Sequence, residues 1–171
     1  MLLALLVGCF SPLASALGPK FDAFVGFSRT GNDTFYPNVG GLNGVEGAFN
    51  LKVRRFVGVE ADVAQYGLGS SGVVPRTTTV LVGPRVTVGA LGIRVFAHGL
   101  IGLERSSNSS GLSISGSSAT YAAGGGFDVP FAPFFGWRVA ADYLRAPSLA
   151  SGSGVNSREY YRYSTGPVFR F

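Results

Sequence analysis

The sequence predicts an all-β chain, an eight-stranded antiparallel up-and-down transmembrane β-barrel. Eight segments after residue 20 alternate apolar with polar or charged side chains, the period of strands whose two faces meet different surroundings. Their connections alternate between long and short, as in a membrane barrel with loops at one rim and turns at the other. The chain is also apolar, with 13% charged and 46% hydrophobic residues and a mean hydropathy of +0.31. Yet beyond Leu17 no run approaches the roughly 20 apolar residues that a membrane helix needs.

The first segment is not a strand. Met1–Leu17 is apolar and ends in Ala14-Ser15-Ala16, the small-x-small pattern of an export signal's cleavage site. Residues 1–16 are therefore read as a signal peptide and 17–171 as the barrel domain. A rival reading takes Leu6-Val7-Gly8-Cys9 as a lipobox, which makes Cys9 a lipidated N-terminus. Cys9 is the one cysteine, so neither an intramolecular disulfide nor a cysteine-built zinc site is available.

The strands follow in order. Lys20–Arg29 sets Phe21, Ala23, Val25 and Phe27 against Asp22, Gly26 and Ser28, with Phe24 out of pattern on the polar side. Leu42–Val53 sets Val45, Phe49 and Leu51 against Glu46, Asn50 and Lys52, and Arg54-Arg55 turns the chain. Phe56–Tyr66 alternates Val57, Val59 and Val63 with Glu60 and Asp62. Thr78–Val88 places Arg85 opposite its valines, and Val95–Glu104 places His98 and Glu104 opposite Ile101 and Leu103. Ala119–Val129 carries Asp128, and Phe135–Leu144 carries Arg138 and Asp142 opposite Trp137, Val139 and Tyr143. Glu159–Phe171 closes the chain, with Tyr161, Tyr163, Phe169 and Phe171 on one face and Arg162 and Arg170 on the other.

The charges share one parity: Glu46, Lys52, Glu60, Asp62, Arg85, His98, Glu104, Asp128, Arg138, Asp142, Arg162 and Arg170. A soluble lipocalin-like barrel would turn that parity outward. An eight-stranded barrel, however, has a lumen only wide enough for packed side chains or one small ligand. The aromatics of the other parity, from Phe21 and Phe27 to Trp137, Tyr161 and Phe171, are too bulky for it. Outside they serve as membrane-interface girdles, with tyrosines toward the long loops and phenylalanines, Phe96 among them, at the short-turn rim. The charges then form a lumen network, because isolated ions in low dielectric are costly and pair.

The eight-strand pattern, the export-type N-terminus and the terminal Val168-Phe169-Arg170-Phe171 resemble the small outer-membrane β-barrel proteins of the OmpA/OmpX type. The resemblance covers about residues 20–171. It implies residence in the bacterial outer membrane, and an assembly signal in the last strand (Tyr163, Phe169, Phe171) read by the outer-membrane assembly machinery. No peptidoglycan-binding segment follows the barrel, so no cell-wall anchor is implied.

The chemistry expected is modest. His98, the one histidine, reads as an interior imidazole near Glu104 or another carboxylate. A lipid A deacylase would carry a serine two residues later, where this chain has Leu100. Gly124-Gly125-Gly126 lies mid-strand and marks close backbone approach, not a phosphate loop. Arg29, Arg76, Arg105, Arg145 and Arg158 fall near strand ends at the long-loop rim, where guanidinium groups suit lipopolysaccharide phosphates. The net charge of +5 is spread singly along the chain, which argues against a nucleic-acid-binding stripe. The expected role is structural or surface-interacting, in a monomer with no cofactor, no metal and no catalysis. The alternative is a lipid A-modifying acyltransferase or deacylase.

Overall fold

A computed structural model of the chain describes residues 20–31, 41–67, 76–90, 92–107, 116–147 and 157–171. The signal-peptide segment and Cys9 lie outside the described residues. The strands are β1 (Phe21–Gly31), β2 (Asn43–Lys52), β3 (Val57–Tyr66), β4 (Arg76–Ala90), β5 (Ile93–Ser107), β6 (Gly116–Ala132), β7 (Phe135–Ala146) and β8 (Arg158–Arg170). Each pairs antiparallel with the next, and β1 pairs with β8 to close the barrel. Short connections at 53–56, 91–92 and 133–134 share one rim; 32–42, 67–75, 108–115 and 147–157 join the strands at the other.

β4, β5 and β6 run further than the sequence pattern suggests. Gly89 and Pro130 look like breakers, yet the ladder continues past both. Gly89 pairs with Arg94 and Ala90 with Ile93, so the β4–β5 ladder runs on to the end of its hairpin. Short hairpin connections favour residues with positive φ, and Gly92 there has φ of 79°. Pro130 stays in β6 because the register shifts between Pro130 and Ala132, a bulge that tolerates the missing N–H.

Two other prolines leave a mark. No cross-strand pairs join Gly83-Pro84 of β4 to β5, or Gly166-Pro167 of β8 to β1. Proline cannot donate to the ladder, and at both places a glycine faces the gap. A Cβ on Gly83 would strike the Gly99 carbonyl, and one on Gly166 would lie 2.5 Å from Gly26 Cα. The β4–β5 and β8–β1 seams lie on opposite sides of the barrel.

The burial pattern settles which parity is inside. Along β3, Glu60 and Asp62 are each 1% exposed while Val59 and Val63 are 45% and 49% exposed. The same inversion holds around the barrel, with Val25, Val45, Val80, Val82, Ile101 and Leu103 facing out. The soluble alternative, charges out and apolar side chains in, is thereby reversed. An outer wall of this composition is a surface for hydrocarbon.

Candidate functional site

The middle of the lumen is a ring of buried charges. Arg162 donates to Asp62 from Nη1 at 2.7 Å and to Asp142 from Nε and Nη2 at 2.8 and 2.6 Å. Glu46 lies 3.5 Å from its Nε. His98 places Nε2 2.7 Å from Asp142 and Nδ1 2.9 Å from Glu60, whose other oxygen accepts from Arg85 at 2.6 Å. The path Asp62–Arg162–Asp142–His98–Glu60 leaves β3, crosses β8, β7 and β5, and returns to β3. His98 is buried in the lumen, and its carboxylate partners are Glu60 and Asp142, not Glu104. A lipid-facing His/Ser pair cannot be built on it.

Toward the short turns, Asp128 accepts from Arg138 Nε and Nη2 at 2.8 and 3.2 Å. Asp22 accepts from Asn50 at 3.1 Å and lies 3.5 Å from Lys52 Nζ. Two phenylalanines break the parity rule's chemistry here, though not its geometry. Phe24 and Phe96 point inward and are 1% and 3% exposed; Phe96 is therefore not part of the rim girdle. Arg85 lies over the Phe96 ring at 3.7 Å, and Arg138 approaches Phe96 at 4.7 Å and Phe24 at 5.0 Å. The rings give crowded guanidinium groups a flat electronegative surface.

Toward the long loops, Glu104 is held by Arg158 and accepts from Tyr160 Oη at 2.9 Å. Tyr160 joins Leu81, Leu100, Ala122 and Leu144 in an apolar layer, and Tyr66 packs with Leu42 and Ala64. Tyr66 and Tyr160 are thus lumen residues, not girdle residues. Arg158 also needs correcting as a rim arginine: it shares the parity of Tyr160 and Arg162, and its burial against Glu104 turns it away from lipid. Arg29, Arg76, Arg105 and Arg145 are exposed. Arg29 sits opposite Tyr163 in the β1–β8 register and Arg145 opposite Tyr121 in the β6–β7 register. Arg145 also lies 3.4 Å from Glu159.

Tyr163, Phe169 and Phe171 all face outward. The Phe169 ring packs on Phe135 at 5.6 Å. Phe171 exchanges two backbone hydrogen bonds with Phe21, at 2.9 and 3.1 Å, so the last residue fastens the closing seam. The glycine run behaves as expected: a Cβ on Gly126 would collide with the Val139 carbonyl and one on Gly125 with that of Phe96. A groove of about 490 Å³ opens on the outer wall over Gly125 and Ala141, walled by Phe27, Phe127 and Tyr163, with Arg29 at its long-loop end.

No family model matches the chain, and no curated protein matches its sequence. Solved structures do match. Neisserial surface protein A aligns with a TM-score of 0.70 over 91% of this chain and 100% of that one, at 12% identity. Ail of Yersinia pestis aligns at 0.60 over 91% and 100%, at 19% identity. The N-terminal β-barrel domain of Pseudomonas aeruginosa OprF aligns at 0.57 over 91% and 100%, at 14% identity. The fold is that of a small outer-membrane β-barrel of the OmpA/OmpX type. Ail has also been solved with the heparin analogue sucrose octasulfate. Within this fold, the present barrel devotes its lumen to ion pairs and ring stacking, and leaves its arginine-bearing long-loop rim to the exterior.

Proposed function

We propose that the chain is an integral protein of the bacterial outer membrane whose role is structural and surface-interacting, with lipopolysaccharide phosphates held at its long-loop rim. The observation that carries this reading is the set of exposed arginines, Arg29, Arg76, Arg105 and Arg145, above an apolar wall. Guanidinium groups bind phosphate with paired donors, and the neighbouring Tyr163 and Tyr121 suit the interface between headgroup and chain. The groove below Arg29 has the apolar lining that an acyl chain wants. Ail, a barrel of the same fold, has been solved with the heparin analogue sucrose octasulfate, a polyanion, which supports looking for an anionic ligand here.

Export, and delivery to the membrane by the outer-membrane assembly machinery through Tyr163, Phe169 and Phe171, belong to the same proposal. Catalysis does not, since the histidine that an enzyme reading would use is tied between lumen carboxylates. The deciding experiment replaces Arg29, Arg76, Arg105 and Arg145 together with glutamine and measures lipopolysaccharide copurifying with the barrel. The reading expects clearly less; unchanged lipid content contradicts it. Mass spectrometry of lipid A from cells with and without the gene should show no difference.

A further inference from the structure

The buried guanidinium groups of the lumen are not satisfied alike. Arg162 donates from all three nitrogens to carboxylates. Arg170, at the short-turn mouth, is 3% exposed, yet its Nε, Nη1 and Nη2 make no hydrogen bond. Its two carboxylates stand off, Asp22 at 3.8 Å from Nε and Asp128 at 3.5 Å from Nη2. Both are engaged elsewhere, Asp128 by Arg138 and Asp22 by Asn50 and Lys52.

Two further buried donors near Asp128 are also unbonded. One is Arg85 Nη2, which is 3.6 Å from that carboxylate. The other is Nη1 of Arg94, the residue opposite Asp128 in the β5–β6 register. Lys52, Arg94 and Arg170 lie within electrostatic reach of one another. Around this mouth the cations Lys52, Arg85, Arg94, Arg138 and Arg170 therefore share Asp22, Asp128 and a Glu60 that is divided between Arg85 and His98. Buried donors without acceptors are costly and rare, and here they coincide with surplus positive charge. Gly136 lies beside Arg170: a Cβ there would meet the Val129 carbonyl at 2.7 Å and Arg170 Nη1 at 3.3 Å.

We propose that this mouth is an oxyanion site of the phosphate class, with Arg94 and Arg170 as its principal donors and Arg85 Nη2 behind them. A carboxylate has two oxygens and one charge, too few for the unbonded nitrogens and the surplus cations. A phosphate dianion, tetrahedral and acceptor-rich, meets both demands, and guanidinium forks suit it. The site is at the rim opposite the lipopolysaccharide-facing arginines and does not depend on them. Its ligand can be free phosphate or the phosphate of a phospholipid headgroup.

The test titrates inorganic phosphate into the refolded full chain in phosphate-free octyl glucoside micelles, by calorimetry. One saturable equivalent should bind. R94Q and R170Q should each weaken binding at least tenfold, and R54Q, which removes an exposed charge from the same rim, should leave it unchanged. Mobility on unheated gels checks that each variant is folded. If R170Q does not fold, the half-buried Arg94 decides through R94Q, with R170K as the charge-keeping control. Phosphatidylglycerol added to the micelles identifies the source. Competition with phosphate assigns the site to a lipid headgroup, and binding that persists assigns it to the free anion. Absence of saturable binding, or an equal loss in R54Q, overturns the proposal.

Discussion

Arg162 on β8 meets Asp62 on β3 at 2.7 Å across the lumen, 100 positions away in sequence, although β1 and β2 separate their strands in the wall. Only a closed barrel brings them together, and the ring through Asp142, His98 and Glu60 ties β3, β5, β7 and β8, of which only β7 and β8 share a ladder. Buried ion pairs of this kind add little net stability against apolar packing, but breaking one strands its partners. Arg162→Met leaves Glu46, Asp62 and Asp142 without their shared cation. It should lower the unfolding free energy by about 3–5 kcal/mol in urea titrations of the bilayer-inserted protein. Adding Asp62→Asn and Asp142→Asn should restore part of the loss.

The lipid-facing wall predicts a depth dependence. Val82 and Val88 are almost equally exposed, at 49% and 48%, but Val82 lies mid-strand in β4 and Val88 near the short-turn rim. Val82→Arg should cost about 2–4 kcal/mol in a bilayer and Val88→Arg about 0–1 kcal/mol. Equal costs at the two depths would contradict a membrane-spanning wall.

Glycines one side chain apart in role should separate cleanly. A Cβ on Gly102 would strike the Val80 carbonyl, whereas one on Gly99 meets nothing within 4 Å. Gly102→Val should prevent folding or sharply reduce the yield of the compact, heat-modifiable form. Gly99→Val, adding an apolar group to the outer wall, should fold with near-normal yield.

The proposed assembly role of Phe171 is separable from its role in the seam. Phe171→Ala keeps both backbone hydrogen bonds with Phe21, so refolded stability should fall by no more than about 1 kcal/mol. The folded protein recovered from outer membranes should drop several-fold. An undiminished yield in cells would remove Phe171 from the assembly signal.

Much of this was legible in side-chain parity. Asp22, Glu60, Asp142 and Arg162 declared the inner face because a period of two leaves them no other, and aromatic bulk declared the outer one. Arg158 was readable by the same rule, since it shares the parity of Arg162; its position near a strand end suggested the rim instead. Phe24, Phe96, Tyr66 and Tyr160 were less legible, because parity puts them inside while hydropathy argues for lipid. For Phe24, Phe96 and Tyr160, ring faces beside guanidinium groups resolve that conflict; Tyr66 packs with Leu42 and Ala64. The partners of His98 were not legible, since contacts across the lumen depend on the stagger of strands around the whole barrel. The lengths of β4, β5 and β6 were obscured by Gly89 and Pro130, which a rim hairpin and a bulge absorb.

The orientation of the two faces is tested most directly by the protein's one tryptophan. Trp137 lies on the outer wall of β7, 42% exposed, with Nε1 donating to Thr165 Oγ1 at 2.8 Å. Its fluorescence should be measured with the barrel refolded into bilayers of brominated-chain lipid, and again with acrylamide in the aqueous phase. Strong quenching by the brominated chains with weak quenching by acrylamide is expected of charges inside and aromatics in lipid. Weak quenching by the brominated chains with strong quenching by acrylamide would contradict it.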